Sequence, residues 1–99
     1  MWLETVVLVS KDGYDARLRR MLKVRSLLRK ESLGCARSWV GESANTAGTF
    51  LLQALYENED AIGVAMKSVS ELDEKDGGLE VVLNGPPLVG IFVVNAEDF

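Results

Sequence analysis

Thr49-Phe50-Leu51-Leu52-Gln53-Ala54-Leu55-Tyr56 is the stretch on which the fold turns. It is short for a helix, and its apolar side chains fall at both parities of an extended chain. Phe50, Leu52, Ala54 and Tyr56 stand on one side, and Leu51 and Leu55 flank Gln53 on the other. Because strand side chains alternate between faces, this pattern is that of a strand covered on both sides. Behind it, Asn58 is placed to cap a helix, Glu59 and Asp60 suit its positive end, and Ile62, Ala65, Met66 and Val69 form its buried stripe. In front of it, the small, polar, turn-forming residues 43–48 join it to a second extended segment, Cys35 to Glu42, as a hairpin with a long loop.

Working outward, Leu3 to Ser10 is rich in β-branched residues and reads as a strand, with Val7 and Val9 opposing Val6 and Leu8. Asp12 is then expected to cap a helix reaching about Ser32, with Leu18, Met21, Leu22 and Leu28 as its core stripe and Gly34 closing it. Residues 70–85 stay open, since Leu79 to Leu83 suits a strand by propensity and a short helical turn by spacing. Asn84-Gly85-Pro86-Pro87 is a stop, and Val89 to Val94 is a last strand, with Gly90 at a bulge or a close contact. The order βαββαβ is the ferredoxin-like α+β arrangement, a four-stranded antiparallel sheet with two helices on one face. The other face would be bare and apolar. We therefore expect a homodimer packed through its sheet faces.

The chain has 99 residues, 47% hydrophobic and 26% charged, which suits a single domain spanning 1–99. It contains no histidine and one cysteine, Cys35. That excludes an intramolecular disulfide, Cys/His metal clusters and Ser-His-Asp triads, and it leaves Cys35 without a histidine base. A reducing, cytoplasmic setting is expected, and neither a signal peptide nor a membrane span is visible. Charge is uneven: residues 1–49 hold nine Lys/Arg against five Asp/Glu, and residues 50–99 hold two against ten. Arg19, Arg20, Lys23 and Lys30 fall on one helical arc and read as a solvated face. The acidic remainder would repel a polyanion, so no nucleic acid partner is expected, and attraction between the basic helix and the acidic half is.

Gly34-Cys35 after the first helix, the strand ending in Tyr56-Glu57, the Asn-Glu-Asp-Ala opening at Asn58, and the Gly85-Pro86-Pro87 stop together resemble the antibiotic biosynthesis monooxygenase family. The resemblance covers roughly residues 3 to 95 and rests on the ordered set and its spacing. It implies a dimeric α/β barrel with a pocket in each subunit between the sheet and its own helices. Some members oxidise aromatic quinols with molecular oxygen and no cofactor, and others degrade haem. The quinol-oxidising members carry an asparagine on the third strand, an aromatic four residues later and a tyrosine early in the second helix. The matching positions here look like Leu52, Tyr56 and Ile62. The histidine and the strand-one asparagine of the haem-degrading members are absent.

On that resemblance the expected ligand is a small hydrophobic aromatic molecule, with no cofactor. Tyr56 is the catalytic candidate, a hydroxyl able to hydrogen-bond a substrate phenolate or carbonyl. Phe50, Leu52, Ile62 and Met66 are candidates for the pocket lining, and Trp39 for stacking on a planar ligand. Arg25, within the core stripe by angle, is read either as a pocket cation or as a stem on apolar surface whose head reaches water. A dimeric binding module of the same fold, without catalysis, is the alternative function.

Overall fold

The computed structural model describes residues 1–98. The elements run β1 (Trp2–Val9), α1 (Asp15–Glu31), β2 (Cys35–Glu42), β3 (Thr49–Tyr56), α2 (Glu59–Asp76) and β4 (Leu88–Val93), with a 3-10 turn at Leu79–Val81 and another at Ala96–Asp98. The four strands form one antiparallel sheet in the order β2-β3-β1-β4. This is the ferredoxin-like βαββαβ arrangement. Of residues 70–85, open in sequence, the first part continues α2 to Asp76 and the remainder holds the 3-10 turn and a single bridge from Leu83 to Ser10. Among the described residues no helix is long and apolar enough to cross a membrane.

The start of α1 departs from expectation. Asp12 does not cap it; Tyr14 stands at the N-cap without a side-chain bond, and Asp15 in the first turn accepts from Ser10 Oγ instead. Asn58 does cap α2, its Oδ1 accepting from the Ala61 amide at 3.0 Å. The C-cap of α1 is Ser32 and not Gly34 as expected; Gly34, two residues on, has φ +87°, and a Cβ there would stand 2.7 Å from the Ala61 side chain. Only glycine allows both this backbone and this approach of the α1–β2 link to α2. Gly90 is a close contact rather than a bulge, since a Cβ there would meet the Phe92 ring at 2.7 Å.

The helix-side core divides in two. Val6, Leu8, Leu18, Leu22, Phe50, Leu52, Val82 and Leu83 form one cluster. Ala54, Tyr56, Ala61 and Ala65 form the other, with Trp2, Cys35, Ile62 and Met66 packed against it. Along β1 the helix-side positions run Trp2, Glu4, Val6, Leu8, so the buried carboxylate of Glu4 lies at the junction of the two clusters. On α1, Leu18 and Leu22 are buried, as are Arg25, Ser26 and Arg29, whereas Leu28 of the expected stripe is only half-buried.

The opposite face of the sheet carries Leu3 and Val7 of β1, Leu51 and Leu55 of β3, and Leu88 and Phe92 of β4. It is less uniformly apolar than expected. Trp39 Nε1 donates to Gln53 Oε1 at 3.0 Å, and Gln53 Nε2 donates to Thr5 Oγ1 at 3.1 Å, a polar ladder across three strands. Strand β4 is an edge strand exposed on both faces: Leu88 is 74% and Phe92 54% exposed on this side, and Val93 is 73% exposed on the helix side.

Candidate functional site

A cavity of about 340 Å³ opens between the sheet and the helices. Its floor is Val6 and Leu8 of β1 and Leu52 of β3; Leu22, Arg25 and Arg29 of α1 and Val69 and Asp73 of α2 supply its walls. The segment after α2 completes it with Gly77, Gly78, Leu79, Glu80, Leu83 and Pro87. Gly77 and Gly78 have φ of +83° and +76°, backbone that other residues adopt at a cost, and this double turn brings the 3-10 turn back over the cavity. The surface is thus mostly aliphatic, with charge supplied chiefly by α1 and the C-terminal end of α2.

Two charged clusters organise that polar part, and they share α1. In the first, Arg29 donates through Nε and Nη2 to Glu4 Oε1 and Oε2 at 2.8 and 3.1 Å, and through Nη1 to the Arg25 carbonyl. Tyr56 donates its hydroxyl to Glu4 Oε1 at 2.8 Å. Burial is the largest influence on Arg29 and works to lower its pKa, but its bonds and charge pairing with Glu4 outweigh it and the net shift is upward. Burial also drives the Tyr56 phenol far above its ordinary value, and the Glu4 carboxylate beside it adds to the effect. The phenol is a fixed neutral donor.

In the second cluster, Arg25 is 1% exposed and faces two carboxylates. Nη1 donates to Asp76 Oδ2 at 3.0 Å and to the Met21 carbonyl at 3.4 Å, while Nη2 donates to Asp73 Oδ1 at 2.6 Å and Asp76 Oδ1 at 3.0 Å. Burial again acts downward on the guanidinium, and the hydrogen bonds from Asp76 and Asp73 reverse it. Asp76 is held below the usual carboxylate value, chiefly by its bond from Arg25. Asp76 Oδ1 also accepts from the Gly78 amide at 2.9 Å, so the same ion pair fixes the double-glycine turn.

Of the residues singled out from sequence, Leu52 and Arg25 line this cavity. Arg25 stands at the cavity with its head paired with Asp73 and Asp76 instead of reaching open water. Tyr56 is not part of the lining; it is fully buried and its hydroxyl is donated to Glu4. Phe50 packs in the first hydrophobic cluster at the other end of β3, and Ile62 and Met66 pack on the second, away from the lining. Trp39 pairs with Gln53 on the opposite face, so the sheet separates it from the cavity. Burial pushes the Cys35 thiol upward, which suits a packed thiol and not a nucleophile. Sequence reasoning missed Arg29, Glu4 and Asp73. A charged residue inside an apolar strand, Glu4, paired with basic residues on the helix stripe was the available signal.

No family model matches the chain, and no curated protein matches it. Solved structures do. A protein from Nitrosomonas europaea named as an antibiotic biosynthesis monooxygenase superposes with a TM-score of 0.83, covering 95% of this chain and 98% of its own, at 15% identity. This is the fold of the antibiotic biosynthesis monooxygenases. A second protein so named, from Deinococcus radiodurans, gives a TM-score of 0.70 at 19% identity over 96% of this chain and 93% of that one. SnoaB of Streptomyces nogalater, described as a cofactor-independent oxygenase, gives 0.75 at 14% identity, covering 95% and 93%. At these identities the shared property is the monooxygenase fold across nearly the whole chain.

Proposed function

We propose that the protein is a small oxygenase of the antibiotic biosynthesis monooxygenase kind, which binds a hydrophobic, quinol-like aromatic molecule in the cavity between sheet and helices. The observation that carries this reading is the cavity itself: about 340 Å³, an aliphatic floor from Val6, Leu8 and Leu52, and buried arginines on one wall. A planar apolar body suits such a floor, and a few placed polar groups would fix its orientation. For a ring carbon carrying two hydrogens beside an electron-rich phenol, CH2 and O2 give C=O and H2O. The substrate supplies all the electrons, so the protein's part is to bind, exclude water and stabilise charge on the ring oxygen. The described fold neighbour SnoaB, a cofactor-independent oxygenase, supports this chemistry.

The same reading makes the protein a cytoplasmic homodimer joined through sheet faces, which the exposed apolar side chains of β4 support. A non-catalytic binding module of the same fold is favoured by a different observation. On the sequence resemblance Leu52 and Ile62 match positions where the quinol-oxidising members have polar groups, and the Tyr56 hydroxyl is already donated to Glu4.

The test is a thermal-shift screen against anthrones, naphthoquinols and simple phenols, with oxygen uptake recorded for each stabilising compound. A ligand at a hundred times its Kd should raise stability by about 2.7 kcal/mol. Uptake equal to substrate consumed, abolished in Leu79→Trp, which fills the cavity from its roof, is the expected result. Binding without uptake establishes the binding module, and no stabilisation by any aromatic overturns both readings.

A further inference from the structure

The charged side chains of the cavity lining are Arg25, Arg29, Asp73 and Glu80, and they divide by accessibility. The two arginines are closed to water, with side chains 1% and 7% exposed, and each is already held by carboxylates: Arg25 by Asp73 and Asp76, Arg29 by Glu4. The two carboxylates are open. The Asp73 side chain is 44% exposed, and Glu80 is exposed on the 3-10 turn that roofs the cavity. Asp73 accepts from Arg25 through Oδ1, and Glu80 takes part in no ion pair among the described residues. Lys11 shares an adjoining hollow with Glu80, Leu83 and Pro87 but is not part of this lining, and its Nζ donates to the Val81 carbonyl at 3.4 Å.

The charge that a molecule entering the cavity can touch is therefore negative, although the wall behind it holds two cations. An ionised carboxylate only accepts hydrogen bonds. An anionic ligand would meet like charge and find no accessible side-chain cation to repay the water it gives up. A hydroxyl can donate to these oxygens, and a protonated amine does so with the added strength of a charged donor. The floor of Val6, Leu8 and Leu52 still calls for an apolar body beside that group.

We propose that Asp73 and Glu80 set the specificity of the cavity: they admit aromatic molecules carrying a hydrogen-bond donor, a protonated amine above a neutral hydroxyl, and turn away carboxylated ones. This rests on the cavity being the ligand site, as set out above, and it goes further by fixing the sign of the group that is read. A quinol meets the requirement through its hydroxyls.

Titration calorimetry on the full chain, at neutral pH and low salt, with 1-naphthylmethylamine, 1-naphthylmethanol and 1-naphthoate tests it on one ring system in three charge states. In the wild type the amine should bind tightest and naphthoate weakest, at least about tenfold apart. Glu80→Gln should narrow that gap about threefold and leave the alcohol unchanged, whereas Glu71→Gln, which removes an exposed α2 carboxylate outside the lining, should leave the gap as it was. Circular dichroism and Tm report whether the variants are folded, and the wild-type series decides the order by itself if they are not. Equal binding of the three, or tightest binding of naphthoate, overturns the selectivity while leaving the aromatic cavity intact. An equal response to Glu80→Gln and Glu71→Gln overturns the role of Glu80, since the net charge of the chain would then explain the order. Binding of none of the three overturns the cavity reading as well.

Discussion

Arg25 and Arg29 lie one turn apart on α1, both are buried, and both pair with carboxylates, yet their surroundings differ in kind. Arg29 meets Glu4, which is itself buried and also receives the Tyr56 hydroxyl, so donors and acceptors are matched in a closed unit between two hydrophobic clusters. Arg25 meets Asp73 and Asp76, whose side chains are 44% and 31% exposed, and its Nε is buried without an acceptor. A sealed pair specifies how the sheet and helix seat. A pair whose carboxylates stand partly in water ties the two helices together more loosely. The lesson is that burial of a charge does not by itself mark a functional site.

The sharpest way to break this contrast is to remove one carboxylate from the sealed unit. Glu4→Gln leaves the Arg29 charge buried without its counterion and should cost about 3–5 kcal/mol, most of the stability of a domain this size. Urea unfolding measures it. Arg25→Met should cost less, about 1–2 kcal/mol, because Asp73 and Asp76 turn to water when released. A loss as large as that of Glu4→Gln would make the two clusters equivalent. Tyr56→Phe removes a hydrogen bond to a carboxylate that Arg29 still serves and should cost about 1.5 kcal/mol, while leaving ligand affinity and oxygen uptake unchanged. A fall in turnover with intact folding would return Tyr56 to the site.

The smallest effects are those of pH, and they separate the clusters by sign. Asp76 has a depressed pKa in the folded chain, so its contribution is fully present above the ordinary value of 3.8 and is lost as pH falls through the depressed one. Asp76→Asn should flatten that acid slope of Tm. Tyr56 is shifted the other way: above the ordinary 10.0 the unfolded chain releases a proton that the folded chain keeps, so stability falls with rising pH. Tyr56→Phe should flatten the alkaline limb and leave the acid limb as it was.

Much of the architecture was legible in the chain. Cys35–Glu42 and Thr49–Tyr56 are strands with the bounds their alternation indicated, and Asn58 caps α2 as its position before the acidic pair implied. Attraction between the basic helix and the acidic half was also legible, and Arg25 with Asp73 and Asp76 is its realisation. The site was less so. Phe50, Leu52 and Tyr56 share one parity of one strand, and nothing in their spacing distinguishes the residue at the cavity floor from those packed in the two clusters. Trp39 required the β2–β3 register to be placed on a face, because a bulge between Cys35 and Arg37 shifts the alternation.

The division has a physical cause. Side-chain periodicity and capping chemistry act over a few residues, so the sequence by itself determined which segments become strands and helices, their order, and hence the βαββαβ arrangement. Which buried groups meet is set by packing across dozens of residues. Glu4 finds Arg29 and Tyr56, Arg25 finds Asp73 and Asp76, and one nitrogen is left without a partner only when sheet register, helix rotation and the double-glycine turn are combined. The tertiary structure alone decided that the cavity is walled by Arg25 and Arg29, and that the Tyr56 hydroxyl is donated to Glu4 outside its lining.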